Sequence, residues 1–348
     1  MNTKKSALIS AAILSSFFNV ATQAQTTTVI IDDVLNGTTT QAELQGSYFT
    51  SSSGDALEFN AVAGGTSGDS NNPSSGPLES IGLVSGGSGR TIHVLLPDEE
   101  QITLEAAGDS VTSSVTFTTS ATINNDAQIN ETFRFNIVDH LGRVGETVDG
   151  VFNPQLAANT SFGGGATSQN PLYNGLLGYL AEAEVRTSNV AFEASDLTFR
   201  EFDPAQTNGQ FSGSTSCCFS QSQLGSGPDL GYIFEPNSTY TYTFTITRTA
   251  TNGIDLEQTL VTPTETFSNV GADDTPESFN FGLFALGVSS DAFGLDASTL
   301  PFDADNGIDI TAFSVSFFDA DGVASTPSDT DETCFPVVGT DGTSVVCL

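Results

Sequence analysis

The sequence predicts an all-β chain folded as a two-sheet antiparallel sandwich, and three observations predict it. Apolar and polar residues alternate with period two along most of the chain. Clusters of Gly, Ser, Asn and Pro separate the alternating runs, and no sustained helical spacing occurs. The apolar reserve is large, with 26 Phe beside one Met and no Trp in 348 residues. That reserve supports a core despite an acidity that could otherwise signal disorder.

In chain order, strands are expected near 28–35, 56–62, 90–96 and 101–105. Val111, Val115 and Phe117 then interleave with Thr112, Ser114, Thr116 and Thr118. Phe133, Phe135 and Ile137 are expected to face inward, with Arg134 and Asn136 outward. Segment 176–186 carries Ala and Glu that favour a helix, and a Gly and β surroundings that favour a strand; both readings stay open. Strands follow near 189–193, 197–202 and 230–234. Segment 239–247 alternates strictly, with Thr on one face and Tyr240, Tyr242, Phe244 and Ile246 on the other. Segments 252–261, 279–284 and 308–317 complete the series. Long connections at 63–77, 85–89, 159–171, 207–216 and 289–307 are of the length that carries function or disorder.

Residues 1–24 read as a secretory signal: Lys4 and Lys5, an apolar run over 7–20, then Thr22-Gln23-Ala24 at the cleavage positions. The mature protein is expected to be secreted by a bacterium, without membrane insertion, because no other apolar stretch is long enough to span. Residues 25–320 are expected to form one sandwich domain and 321–348 a disulfide-closed tail. The four cysteines are Cys217, Cys218, Cys334 and Cys347. Cys334 and Cys347 bracket a hairpin around Asp341-Gly342, which favours their pairing and leaves Cys217 with Cys218; cross-pairing of the two sites stays open.

The net charge is −34, with 42 acidic and 8 basic side chains. Removal of Lys4 and Lys5 with the signal would leave no lysine, six arginines and a charge of −36. Such a chain is no partner for nucleic acid or an anionic membrane, which need clustered cations. It has no lysine base, and its acidity suits a saline, marine exterior.

The order Gly89-Arg90-Thr91-Ile92-His93-Val94-Leu95-Leu96-Pro97, Ala107-Gly108-Asp109-Ser110-Val111-Thr112, then Phe133-Arg134-Phe135-Asn136-Ile137-Val138-Asp139, resembles secreted bacterial concanavalin A-like jelly-roll proteins. Asn252-Gly253-Ile254 and Asn306-Gly307-Ile308-Asp309 extend the resemblance to about 80–318. It implies a jelly roll with a concave face. Many similar proteins carry a C-terminal sorting signal that is not found here, which favours release over anchoring.

No Glu-x-Asp-x-x-Glu strand of the kind used by retaining hydrolases of this fold occurs. A lyase would draw on Arg90, His93, Arg134, His140, Arg143, Arg186, Arg200, Tyr173 and Tyr179; Thr91 stands where jelly-roll alginate lyases carry Gln before Ile-His. No Gly-x-Ser-x-Gly elbow or phosphate loop is present. Asp303, Asp305 and Asp309, around Asn306-Gly307, offer hard oxygen ligands at alternate positions, so structural calcium is the expected cofactor. Carbohydrate-binding jelly rolls often hold calcium near the last strand, and the resemblance places Asp309 there.

Glycan binding needs aromatic faces with polar groups beside them. Tyr173, Tyr179 and Tyr232 are the stacking candidates, while Arg134, Asn136 and Arg143 are candidates for polar contacts, with a buried salt-bridge role for the two arginines as the alternative. Regular Thr arrays can match a water lattice, but these rows read as ordinary exposed β faces on single strands. The expectation is a secreted, non-catalytic, glycan-binding jelly roll. A carbohydrate-active enzyme and a structural matrix component are the alternatives.

Overall fold

Alternating sequence becomes sheet when each strand finds a partner whose apolar residues fall on the same side. The computed structural model describes residues 26–34, 47–51, 58–61, 78–83, 90–119, 132–142, 147–148, 151–152, 175–184, 197–202, 219–227, 232, 234–288, 308–321, 334–339 and 342–347. The strands are β1 (Thr26–Val34), β2 (Ser47–Ser51), β3 (Glu58–Ala61), β4 (Leu78–Leu83), β5 (Arg90–Leu95), β6 (Ile102–Thr103), β7 (Ser110–Thr119), β8 (Thr132–Asp139), β9 (Thr147–Val148) and β10 (Val151–Phe152). They continue as β11 (Leu177–Glu184), β12 (Leu197–Phe202), β13 (Phe219–Ser226), β14 (Thr239–Arg248), β15 (Ile254–Val261), β16 (Thr266–Asp273), β17 (Asn280–Phe281), β18 (Leu283–Val288), β19 (Ile308–Asp319), β20 (Cys334–Gly339) and β21 (Gly342–Cys347).

Two large antiparallel sheets form a jelly-roll sandwich. The eight-stranded sheet runs β16-β15-β14-β7-β19-β4-β3, with β1 added along β19. The seven-stranded sheet runs β13-β12-β11-β8-β18-β5-β2. Between β4 and β19 the chain passes repeatedly from one sheet to the other, so sequence neighbours such as β7 and β8 face each other across the core.

Aromatic rings fill that core. Phe117 on β7 meets Phe133 on β8 at 5.1 Å between centroids, Phe133 meets Tyr242 at 5.4 Å, and Phe199 meets Phe244 at 5.8 Å. The inward faces expected for 133–137 and 239–247 are thus the observed ones. Tyr242 is buried and donates to Gln258 Oε1 at 2.5 Å, while Gln258 Nε2 donates to Thr198 O at 2.9 Å, linking the two sheets.

On the outer face of the eight-stranded sheet, hydroxyls pair across β7 and β14. The four pairs are Thr112–Thr245 and Ser114–Thr243, each at 2.9 Å, and Thr116–Thr241 and Thr118–Thr239, each at 3.1 Å.

Segment 176–186 resolves towards strand. Residues 177–184 form β11, which is buried on both faces between β8 and β12. Gly178 at φ 140° is needed there, because a Cβ would run into Ile137 O. The strand expected near 230–234 does not form at Tyr232 or Phe234. Strands β2, β4, β9, β10, β13 and β16 have no counterpart among the expected ones, and 189–193 lies outside the described residues. At one edge of the sandwich β13 meets β16 backbone to backbone. A Cβ on Gly225 would lie 2.7 Å from Val270 O, and one on Gly271 would lie 2.8 Å from Leu224 O.

Candidate functional site

The connection from β13 to β14 assembles a braced aromatic beside polar groups. Tyr232 stands edge-on to Phe234 at 5.8 Å and to Tyr240 at 6.0 Å, and its ring lies 5.9 Å from Phe267. Its hydroxyl shares a 3.1 Å hydrogen bond with that of Tyr240, which accepts from Glu235 N at 2.8 Å. Burial, then the Tyr240 bond, pushes the Tyr232 phenol up from its ordinary range, so it remains a neutral hydroxyl. Glu235, Pro236 and Asn237 follow, all exposed. Thr119 anchors this loop, donating to Glu235 O through its hydroxyl and accepting from Ser238 N at 3.1 Å. A half-buried ring on a rigid support, with an exposed carboxylate and amide next to it in the chain, has the composition of a sugar contact.

The other expected contacts lie elsewhere. Arg134 and Asn136 do occupy the outer face of the seven-stranded sheet, but that face is buried where they stand. Arg134 donates through Nε and Nη2 to Glu182 Oε1 at 3.0 and 2.9 Å. Arg200 Nε donates to Glu182 Oε2 at 3.2 Å, as does the Thr198 hydroxyl at 3.3 Å. Burial opposes charge on Glu182, but Arg134 and Arg200 outweigh it and hold the carboxyl below its ordinary range. The salt-bridge reading of Arg134 is therefore the correct one. Asn136 Nδ2 donates to Ala285 O at 3.2 Å, and its buried Oδ1 has no hydrogen-bond partner among the described residues. The backbone of His93 pairs with Ala285, which pairs with Asn136, so His93 sits two strands from Asn136 in the same register.

Tyr179 is a correction. It is 2% exposed, in the core, and its hydroxyl donates to Asp273 Oδ2 at 2.7 Å, so neither ring face is open to a sugar. Beside it lies a feature that sequence reasoning missed. Glu201 pairs with Tyr179 across β11 and β12, and its carboxyl is pushed up to about 7, first by burial and then by Asp273 and Glu277. His140 is also buried, with Nδ1 3.3 Å from Asp98 Oδ1 and its ring under Gly282 and Gln101. Burial lowers its pKa despite Asp98 and Asp139. Arg248 is structural: Nη1 donates to Leu104 O at 2.6 Å, and the guanidinium lies 4.2 Å from the Phe279 ring centroid.

Arg143, Tyr173, Asp303, Asp305, Cys217 and Cys218 lie outside the described residues. Asp309 is near the start of β19, where its backbone pairs with Gly82 and Thr118. Among the described residues no group of three or more His, Cys, Asp or Glu is placed to hold a metal. Cys334 and Cys347 occupy directly opposed positions at the open end of the β20–β21 hairpin.

No family model matches the chain, and no curated protein matches it. Solved structures share its strand arrangement loosely. The basic winged bean lectin with Tn-antigen is 12% identical, with 84% of this chain and 98% of that chain covered at a TM-score of 0.42. Lectin I from Ulex europaeus, in complex with the methyl glycoside of α-L-fucose, is 8% identical over 84% and 98% at 0.41. An alginate lyase is 10% identical over 71% and 79% at 0.26. Likeness at this level leaves ligand and activity to be argued from the residues of this chain itself.

Proposed function

We propose that the chain is an exported, non-catalytic carbohydrate-binding protein whose sugar contact is the Tyr232 loop. The observation that supports this is a half-buried Tyr232 braced by Phe234, Tyr240 and Phe267, beside exposed Glu235 and Asn237. Rigid rings lose little entropy on stacking, and the neighbouring carboxylate and amide supply orienting hydrogen bonds. Calcium at Asp303, Asp305 and Asp309 belongs to the same proposal, as a structural cation near β19.

A glycan-array screen of the purified protein, with and without a chelator, tests the reading. Binding to at least one glycan class is expected, weakened at least tenfold by Tyr232→Ala and by the surface change Glu235→Ala. Silence in both conditions would sink it. The second reading, a carbohydrate-active enzyme, draws on Glu201: a carboxyl protonated near neutrality beside a carboxylate is the pairing glycosidic hydrolysis uses. It ranks second because Asp273 is buried and Tyr179 occupies its hydroxyl-accepting oxygen. Release of reducing ends from an array-positive polysaccharide would reverse that order.

A further inference from the structure

The outer face of the eight-stranded sheet has no part in the Tyr232 site. Antiparallel register carries one rung straight across it: Ser314, Ser114, Thr243, Thr259 and Ser268, one residue from each of five adjacent strands. Rungs on either side keep the hydroxyl pair between β7 and β14, with oxygens 2.9 to 3.1 Å apart along four successive rungs, while the strands beside it carry Glu257 and Val270 in one rung and Ala312 and Val261 in the other. Chain-wide there are 42 acidic residues, yet the outward positions of β7, β14 and 312–318 of β19 carry none. Acidic residues return at the margins: Asp309 pairs with Thr118 before the β19 bulge, Asp32 on β1 pairs with Ser314, and Asp255 and Glu257 on β15 pair with Thr247 and Thr245. The margins also expose apolar side chains: Val270 on β16 is 69% exposed, and Val29, Val34 and Val261 are exposed on β1 and β15.

The chemistry of this face excludes most partners. It has no cation for phosphate or anionic lipid. Among the described residues it has none of the Trp, Tyr or Arg anchors that dominate protein interfaces, and its aromatic ring, Phe318, stands half-buried at the end of the β19 row beyond the paired hydroxyls. What remains is a partner that is itself an uncharged periodic array of hydrogen-bonding oxygens. We propose that this face binds ice, holding the first layer of a water lattice on its paired hydroxyls and adjacent methyl groups. Each hydroxyl is fixed by its cross-strand neighbour and retains capacity for two further bonds to water. The β-branched side chains are stiff at χ1, so the array is ordered before contact. Rungs recur about every 6.8 Å along a strand, and within each rung the paired oxygens lie 2.9 to 3.1 Å apart, a hydrogen-bonding separation of the kind that links neighbouring waters. The sequence alone showed only separate Thr rows; the register is what turns them into a two-dimensional array.

Nanolitre osmometry and ice-affinity partitioning of the full chain test the proposal. Faceted crystals, a freezing hysteresis and enrichment in the ice fraction are expected. Thr243→Lys and Thr245→Lys, each placed centrally, should abolish all three while leaving glycan-array binding unchanged. Thr264→Lys, in the exposed β15–β16 turn, should retain them. No hysteresis and no enrichment of the unmodified protein would overturn the proposal, whatever the variants do. So would hysteresis unaffected by both central lysines. A sedimentation-defined dimer that Thr243→Lys dissociates, without ice activity, would reassign the face to a second copy of the chain.

Discussion

Replacing Glu182 by Gln tests the energetic centre of the seven-stranded sheet. The carboxylate receives three hydrogen bonds from two guanidiniums, of which Arg134 is fully buried and Arg200 has a side chain only 15% exposed. Gln keeps one acceptor oxygen and removes the negative charge that Arg134 and Arg200 share. Removing one partner from a buried ion pair costs about 3–5 kcal/mol, so Glu182→Gln is expected to cost at least about 3 kcal/mol in urea unfolding at pH 7, with the slope unchanged. The depressed carboxyl stabilises the fold above the unfolded-state value of 4.5, and that stability is lost as pH falls through the folded-state value. Wild type should therefore lose stability in acid, and the variant should lack that component. A cost below about 1 kcal/mol, the scale of an exposed surface pair, would refute the reasoning, as would an unchanged acid limb.

Glu201 acts with the opposite sign. Its folded-state value of about 7 stands above 4.5, so its contribution is full below 4.5 and lost as pH rises through 7. Glu201→Gln should flatten the decline in melting temperature between pH 5 and 8, an effect on the order of 1 kcal/mol after solvent screening. His140, whose value is lowered by burial, contributes stability above 6.5 that is lost on acidification. In His140→Leu the loss below pH 6.5 should shrink, whatever the absolute stability, as read from melting temperatures across pH 4–7. Alkylation and peptide mass mapping without reductant should find Cys334 linked to Cys347, and Cys334→Ser with Cys347→Ser should speed protease trimming of the tail. Mass analysis of exported protein should find the chain starting at Gln25; retention of 1–24 would refute the signal reading.

Much of the fold was legible because period-two alternation survives where one face meets water. The Thr and aromatic faces of β14 and the Phe faces of β8 are examples. Alternation says which residues share a face, not whether the second face is covered. That is why Arg134 and Asn136 read as outward contacts although both are buried, and why β11, apolar on both sides, stayed ambiguous with a helix. Tyr179 misled for the same reason. The Glu201–Asp273 neighbourhood joins strands from different sheets and leaves no local signal. Strand β16, with its Gly271 and alternating small residues, lacks the apolar run that marks an inner strand.

The glycine contact between β13 and β16 gives the sandwich a spine. With Gly225 and Gly271 letting backbones touch, the two sheets are bound together along one margin like the leaves of a book. Among the described residues no such meeting of strands occurs at the fore-edge, where β2 and β3 end their sheets. Opening motions should therefore swing from that fore-edge, with amide exchange fastest in β2 and β3 and slowest in β14 and β15. Gly271→Val, which wedges the binding apart, should erase this gradient by letting the leaves part from both margins.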